Sequence, residues 1–153
     1  MGVDAAFGVT LGDIVHNDLS LFEDLAGTIG RIGIPWYNVK GNHDTNSNEA
    51  GNEFSSESFA RVFGPAYFSY DYGSVHFVVL NNAYWLPGEA RYKTKLGDQQ
   101  TAFLKNDLDL VPADRLVVLI MHIPIIEMTD RQAIYRLIEN RRSTFSIAGH
   151  WHR

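Results

Sequence analysis

Asp13, Asn42, His43, Asp44, His122, His150 and His152 are the side chains in this 153-residue chain whose types and spacing could bind metal ions and move protons. Gly41-Asn42-His43-Asp44 places an amide oxygen, an imidazole and a carboxylate together in a tight turn after the apolar run Ile34-Pro35-Trp36-Tyr37-Asn38-Val39. Gly12-Asp13 follows Phe7-Gly8-Val9-Thr10-Leu11. His122 follows Leu116-Val117-Val118-Leu119-Ile120-Met121, and Gly149-His150-Trp151-His152 follows Thr144-Phe145-Ser146-Ile147-Ala148. Each group falls where a strand should end, which is where open α/β sheets keep their ligand crevice.

Two divalent cations ~3.5–4 Å apart need a bridging carboxylate and nitrogen and oxygen donors on either side, so that their charge can clamp a phosphoryl group and activate water. Asp13 suits the bridge. Asn42 offers a neutral oxygen that keeps the ions electrophilic, and His122, His150 and His152 offer imidazoles. In an extended Gly149-His150-Trp151-His152 both imidazoles point the same way and can serve different ions. His43, with Asp44 behind it to set its tautomer, suits a proton donor to a leaving alkoxide. Any one of these motifs is weak evidence, because Gly-Asp after a strand is usually a turn. Four in order, each at a strand end, argue jointly for a site.

The elements that must position these residues follow from apolar spacing. Ser20-x-x-Glu23 fits a capping box ahead of a helix with Phe22, Leu25, Ala26, Ile29 and Ile32 inward. Ser55 or Ser56 can cap a short helix carrying Phe59, Val62 and Phe63, closed by Gly64-Pro65. Tyr67-Phe68-Ser69-Tyr70 and Val75-His76-Phe77-Val78-Val79-Leu80 read as a hairpin. Residues 83–97 read as a long loop whose Tyr84, Trp85, Arg91 and Tyr92 either line a substrate pocket or cover a sheet edge. A helix is predicted over 98–108, and another after Thr129 or Asp130 with Ile134, Leu137 and Ile138 inward. His76, inside a strand, reads as a satisfied sheet histidine; His16 lies near Asp13 in a loop; Trp36, Phe59, Phe63, Phe103 and Trp151 read as packing residues. Asn81 is a candidate support residue at a strand end.

Composition narrows the classes. A net charge of −5 gives no basic footprint, which disfavours nucleic acid as a bulk partner. There is no cysteine, so disulfides, zinc thiolates and thiol nucleophiles are excluded together. No apolar run approaches the ~20 residues of a membrane span, and Met1-Gly2-Val3-Asp4 is not a signal peptide. The length suits a single domain over 1–153.

Gly12-Asp13, Gly41-Asn42-His43-Asp44, Met121-His122 and Gly149-His150-x-His152, in this order, resemble the calcineurin-like metallophosphoesterase superfamily. Thr10-Leu11-Gly12-Asp13-Ile14-Val15, Gly64-Pro65-Ala66-Tyr67 and Arg115-Leu116-Val117-Val118 are similar to a bacterial multidomain branch, often exported or periplasmic. The resemblance implies a four-layer α/β/β/α sandwich, two divalent ions such as Mn, Fe or Zn, and hydrolysis of phosphomonoesters or phosphodiesters on a small phosphorylated substrate. On that pattern Asp13 bridges, Asn42, His122 and His150 bind one ion, His152 binds the other, and His43 protonates the leaving group with Asp44 beside it. The family also opens with an Asp-x-His strand that this sequence lacks: Asp4 is followed by Ala5-Ala6. The reading is therefore a sandwich truncated at both ends, with an open sheet through which copies could pair. The alternative is an inactive fragment or metal-binding scaffold with one complete ion site.

Overall fold

The computed structural model describes residues 4–48, 51–89 and 91–152. Twelve elements follow one another: β1 (Gly8–Thr10), α1 (Phe22–Gly30), β2 (Trp36–Asn38), α2 (Glu57–Phe63), β3 (Phe68–Tyr72) and β4 (Val75–Leu80), then β5 (Ala83–Leu86), β6 (Arg91–Thr94), α3 (Gly97–Asp109), β7 (Leu116–Met121), α4 (Arg131–Ile138) and β8 (Thr144–Ala148). Short 3-10 turns at Leu19–Leu21, Pro87–Glu89 and Ile125–Glu127 join some of them.

The central sheet has the order β3-β4-β7-β8, with β3 antiparallel and the other pairs parallel. Its residues alternate in facing. Val78, Leu80, Val117, Leu119 and Met121 pack under α3 and α4 with Leu104, Leu108 and Ile134. Val79, Val118 and Ile120 face the other way and meet Val39, Val9 and Leu11 of the small parallel sheet β1-β2. Beyond that small sheet, Phe22 of α1 and Phe59 of α2 bury a third cluster with Val15. The order α3α4, four-stranded sheet, two-stranded sheet, α1α2 is the mixed α/β layering that the sequence predicts. Both central strands read as continuous apolar runs because both faces are covered.

Several local expectations are corrected. Residues 83–97 are not a structureless loop: β5 and β6 pair as an antiparallel hairpin, Ala83↔Thr94 to Leu86↔Arg91. Its strands are rich in β-prone aromatics, and Glu89 pairs with Arg91 across the bend. The start of the first helical segment is capped by Asp18, whose carboxylate accepts from the Ser20 N–H at 3.2 Å, rather than by Ser20 itself. At α4, Asp130 is the N-cap residue, but its Oδ2 accepts from the amides of Leu96 and Gly97, fastening β6 and α3 to α4 instead of capping its own helix. His76 is the satisfied histidine the sequence suggests: its Nδ1 lies 2.7 Å from Asp71 and its Nε2 2.8 Å from Asp107, whose other oxygen accepts from Ser69.

The last strand stands apart. Phe145 and Ile147 pair in register with Val118 and Ile120, so they face the inter-sheet core, yet they are 63% and 46% exposed. Among the described residues, β1 pairs only with β2 and β8 only with β7. No helix among the described residues is long and apolar enough to cross a membrane.

Candidate metal centre

Four strand ends converge. Asp13 follows β1, Asn42 follows β2, His122 follows β7 and His150 follows β8. The convergence point is His122 Nε2: Asp13 Oδ2 lies 3.1 Å from it, Asn42 Oδ1 3.2 Å and His150 Nδ1 3.1 Å. Asp13, His122 and His150 offer ligand atoms all within 4.8 Å of one another.

The backbone makes room for this approach. Gly12 has φ +89, and a Cβ there would stand 2.5 Å from His122 Nδ1; a Cβ on Gly41 would stand 2.2 Å from Asp13 Oδ1. Asp13 and His150 themselves take left-handed conformations, φ 52 and 67, which cost energy in non-glycine residues and cluster at working sites. The turn at His150, closed by Trp151 N–H on Gly149 C=O at 2.8 Å, also corrects an expectation. The Gly149–His152 segment is not extended, so the two imidazoles do not share a direction by strand alternation. His150 enters the cluster, while His152 lines two neighbouring cavities.

Tautomers follow from the partners. His122 Nδ1 donates to the Leu11 carbonyl at 2.7 Å, which leaves Nε2 as the atom aimed at the cluster. Burial lowers the His122 pKa, but the Asp13 carboxylate and the Leu11 carbonyl outweigh it and raise the pKa above its ordinary value. Burial raises the Asp13 carboxyl in turn, and it ends below its ordinary value because His122 and the His43 N–H bond to it. His150 is lowered by burial and by the charge of His122. Without an ion, a proton on His122 Nε2 is surrounded by three acceptors it cannot satisfy at once. A divalent cation accepts from all of these oxygens and nitrogens together, so the donor set fits a borderline divalent metal.

His43 lies beside this cluster, with its amide N–H on Asp13 Oδ1 at 3.0 Å. Its ring partner is not Asp44. Asn17 Oδ1 stands 2.9 Å from His43 Nδ1, whereas the fully buried Asp44 accepts from Val15 N–H at 3.0 Å and Gly41 N–H at 2.8 Å. Asp44 is a clamp between two loops. Its own pKa is raised, because burial outweighs those amide bonds.

Three residues enter the site's surroundings unforeseen. Lys40 is completely buried, donates to Thr45 Oγ1 at 2.6 Å, and is pulled down to about 8 by burial, against the pull of Asp44 and Asp13. Asn82 rather than Asn81 supports the His122 loop, donating to the Ile123 carbonyl at 2.6 Å and accepting from its N–H at 3.1 Å. Asn81 is tied to Gln100 and Ser56 instead. Asn17, at φ 68, orients His43. A short polar residue after a glycine-bearing turn is a weak signal for Asn17; nothing in the spacing marks Lys40. Trp151 is 54% exposed and donates to Glu127, so it is not a packed core residue. Of the hairpin aromatics, Tyr84 lines a polar cavity of about 370 Å³ with Asn52, Tyr67 and Asn81, and Trp85 is buried.

No curated protein matches the chain. The family model of the calcineurin-like phosphoesterases matches residues 5–153, a span that contains every donor described above. The chain thus belongs to the calcineurin-like phosphoesterase family, whose members are metal-dependent hydrolases.

Proposed function

We propose that the chain hydrolyses phosphomonoesters or phosphodiesters at a two-ion site centred on Asp13. The observation that carries this reading is the convergence of Asp13, Asn42 and His150 donors within 3.2 Å of His122 Nε2. Asp13, Asn42, His122 and His150 would hold one divalent ion. Asp13 would bridge to a second served by His152. When bound, such ions supply positive charge to a phosphoryl group and a water acidic enough to attack it.

The protein's own residues do the rest. Asn42 contributes oxygen without charge, preserving the attraction for an anionic ester. The Leu11 carbonyl keeps the His122 proton on Nδ1. Asn17 Oδ1 accepts from His43 Nδ1–H, so His43 would act in its imidazolium form, giving the Nε2 proton to the departing oxygen and remaining as the neutral ring. Asp44 acts one step back, keeping the turn that carries Asn42 and His43 against the loop that carries Asp13.

The test is hydrolysis of p-nitrophenyl phosphate and bis-p-nitrophenyl phosphate by the whole chain with added Mn²⁺. Metal-dependent turnover that falls by about 10²–10⁴-fold in His43→Ala, with metal retained, supports these roles. Absence of turnover on both esters with the ions bound would overturn the reading.

A further inference from the structure

Trp151 lines two cavities at once. The smaller, about 220 Å³, fronts the four-donor cluster, with Asp13, His122, His150 and His152 beside the indole. The other, about 370 Å³, is a groove lined by Pro124, Ile125, Ile126, Tyr135, Ile138 and Trp151, with residues 144–146 of β8 alongside them. The indole is thus a wall shared by the metal centre and an apolar groove. Its placement is built into the backbone. His150 takes φ 67, and the Trp151 N–H closes that turn on the Gly149 carbonyl at 2.8 Å. The indole Nε1–H donates to Glu127, at the end of the 3-10 turn Ile125–Glu127. The turn that sends His150 into the cluster therefore also sets the indole against the segment that follows His122.

Composition says what the groove would take. None of the described residues that line it is charged. A second phosphate or a carboxylate on the substrate would find no cation there, and leaving its water would be costly. An apolar group would gain by entering. Ile126 is 61% exposed and Tyr135 36%, so the groove presents apolar surface to water directly beside a polar centre. Contiguous apolar surface of that kind, rimmed by polar groups, marks a binding groove, and about 370 Å³ is within the range of small-molecule sites. Pro124, Ile125 and Ile126 stand two to four residues after His122, and Trp151 stands next to His150, so two of the donor-bearing strand ends run straight into the groove's walls.

Resting on the reading of the cluster as a phosphoesterase centre, we propose that the groove receives the alcohol portion of the ester and that this portion is an apolar chain. The substrate class is then a phosphate ester of an apolar alcohol, taken up as a single dispersed molecule with its phosphoryl end at the cluster. Trp151, shared by both spaces, is the residue that sets this specificity.

The experiment is calorimetric titration of the Mn²⁺-loaded chain with methyl-, butyl- and octylphosphonate, whose P–C bond is not an ester and survives the measurement. Affinity is expected to rise about threefold to fourfold for each methylene that enters the groove. The octyl-to-methyl ratio is expected to fall toward one in Trp151→Ala, and also in an Ile126→Ser, Tyr135→Ser chain, whose changes lie on elements that carry no metal donor. Both variants alter exposed residues, and an unchanged circular dichroism spectrum checks that they fold. Equal affinities along the series, no binding of any phosphonate, or a ratio that survives in the double variant overturns the inference. So does an octylphosphonate affinity that is unchanged when Mn²⁺ is chelated, because the chain would then sit in the groove without an anchored phosphoryl end. If the series is flat and the chain instead sediments with phosphatidylcholine vesicles, the apolar surface is a membrane contact. The outcome is separable from that of the functional proposal. A metal-dependent rise along the series without ester hydrolysis would keep the groove and remove the phosphoesterase reading. Hydrolysis of the nitrophenyl esters with a flat series would do the reverse.

Discussion

Gly41 is where the smallest added group should do the most harm to the metal centre. A methyl there would sit 2.2 Å from Asp13 Oδ1 and 2.3 Å from Asp13 N, so Asp13 must move out of the cluster. Gly41→Ala should weaken the first ion by about 10–100-fold, the range seen when ligand orientation is lost, in a calorimetric titration. Lys40 makes a different prediction. In the unfolded chain it titrates near ~10.4, whereas in the native chain burial lowers it to about 8. Between those values the unfolded state binds the extra proton, so stability of the metal-free chain rises with pH across that window. Below it the cost of charging a buried ammonium is fully present, on the order of 3 kcal/mol. Lys40→Met should abolish the rise, measured by urea unfolding at pH 7.5 and 9.5 without metal. That Asp13, Asn42, His122 and His150 come together was legible in sequence because glycine-flanked donors at strand ends are a local pattern. The partners of His43 and Asp44 were not, because Asn17 and Val15 reach them from a loop some thirty residues away.

Elements tell the same story one level up. Apolar runs and helical spacing gave the buried strands β4 and β7 and the helices, since burial on two faces or one leaves a periodic trace. The β5–β6 hairpin left little trace, because it carries an irregular bend and charged residues, Arg91 and Lys93, on β6. His76 shows what a strand-interior histidine can do at the far end of the sheet from the ligands. It joins β4 to the Asp107 carboxylate of α3 and to Asp71 of β3. Replacing it by Leu strands the partly buried Asp107 and should cost about 1–3 kcal/mol. Thermal unfolding should report the loss while ion stoichiometry stays as in wild type. At the other side of the sheet, exposed Phe145 and Ile147 on β8, which among the described residues pairs only with β7, form an edge prone to association. A Phe145→Ser, Ile147→Thr chain should scatter less light than wild type at equal concentration. Equal scattering would mean that self-association does not run through β8.

At the scale of the whole molecule, the layering places helices outside two sheets and all four cluster donors at one end of them. The family match over residues 5–153 agrees with that arrangement. The donors themselves are spaced at 13, 42, 122 and 150 along the sequence. An ion that holds them does in space what a covalent cross-link does along a polymer: it closes loops that together enclose nearly the whole chain. Loop closure of that length is entropically costly in the unfolded ensemble, and an ion that binds only the folded chain adds stability that grows with its concentration, about 2.7 kcal/mol at a hundred times its Kd. The metal centre is in that sense a removable fastener between the first strand and the last. Chelation should loosen those two strands first, and amide exchange in β1 and β8 should quicken before exchange in β4 and β7 responds.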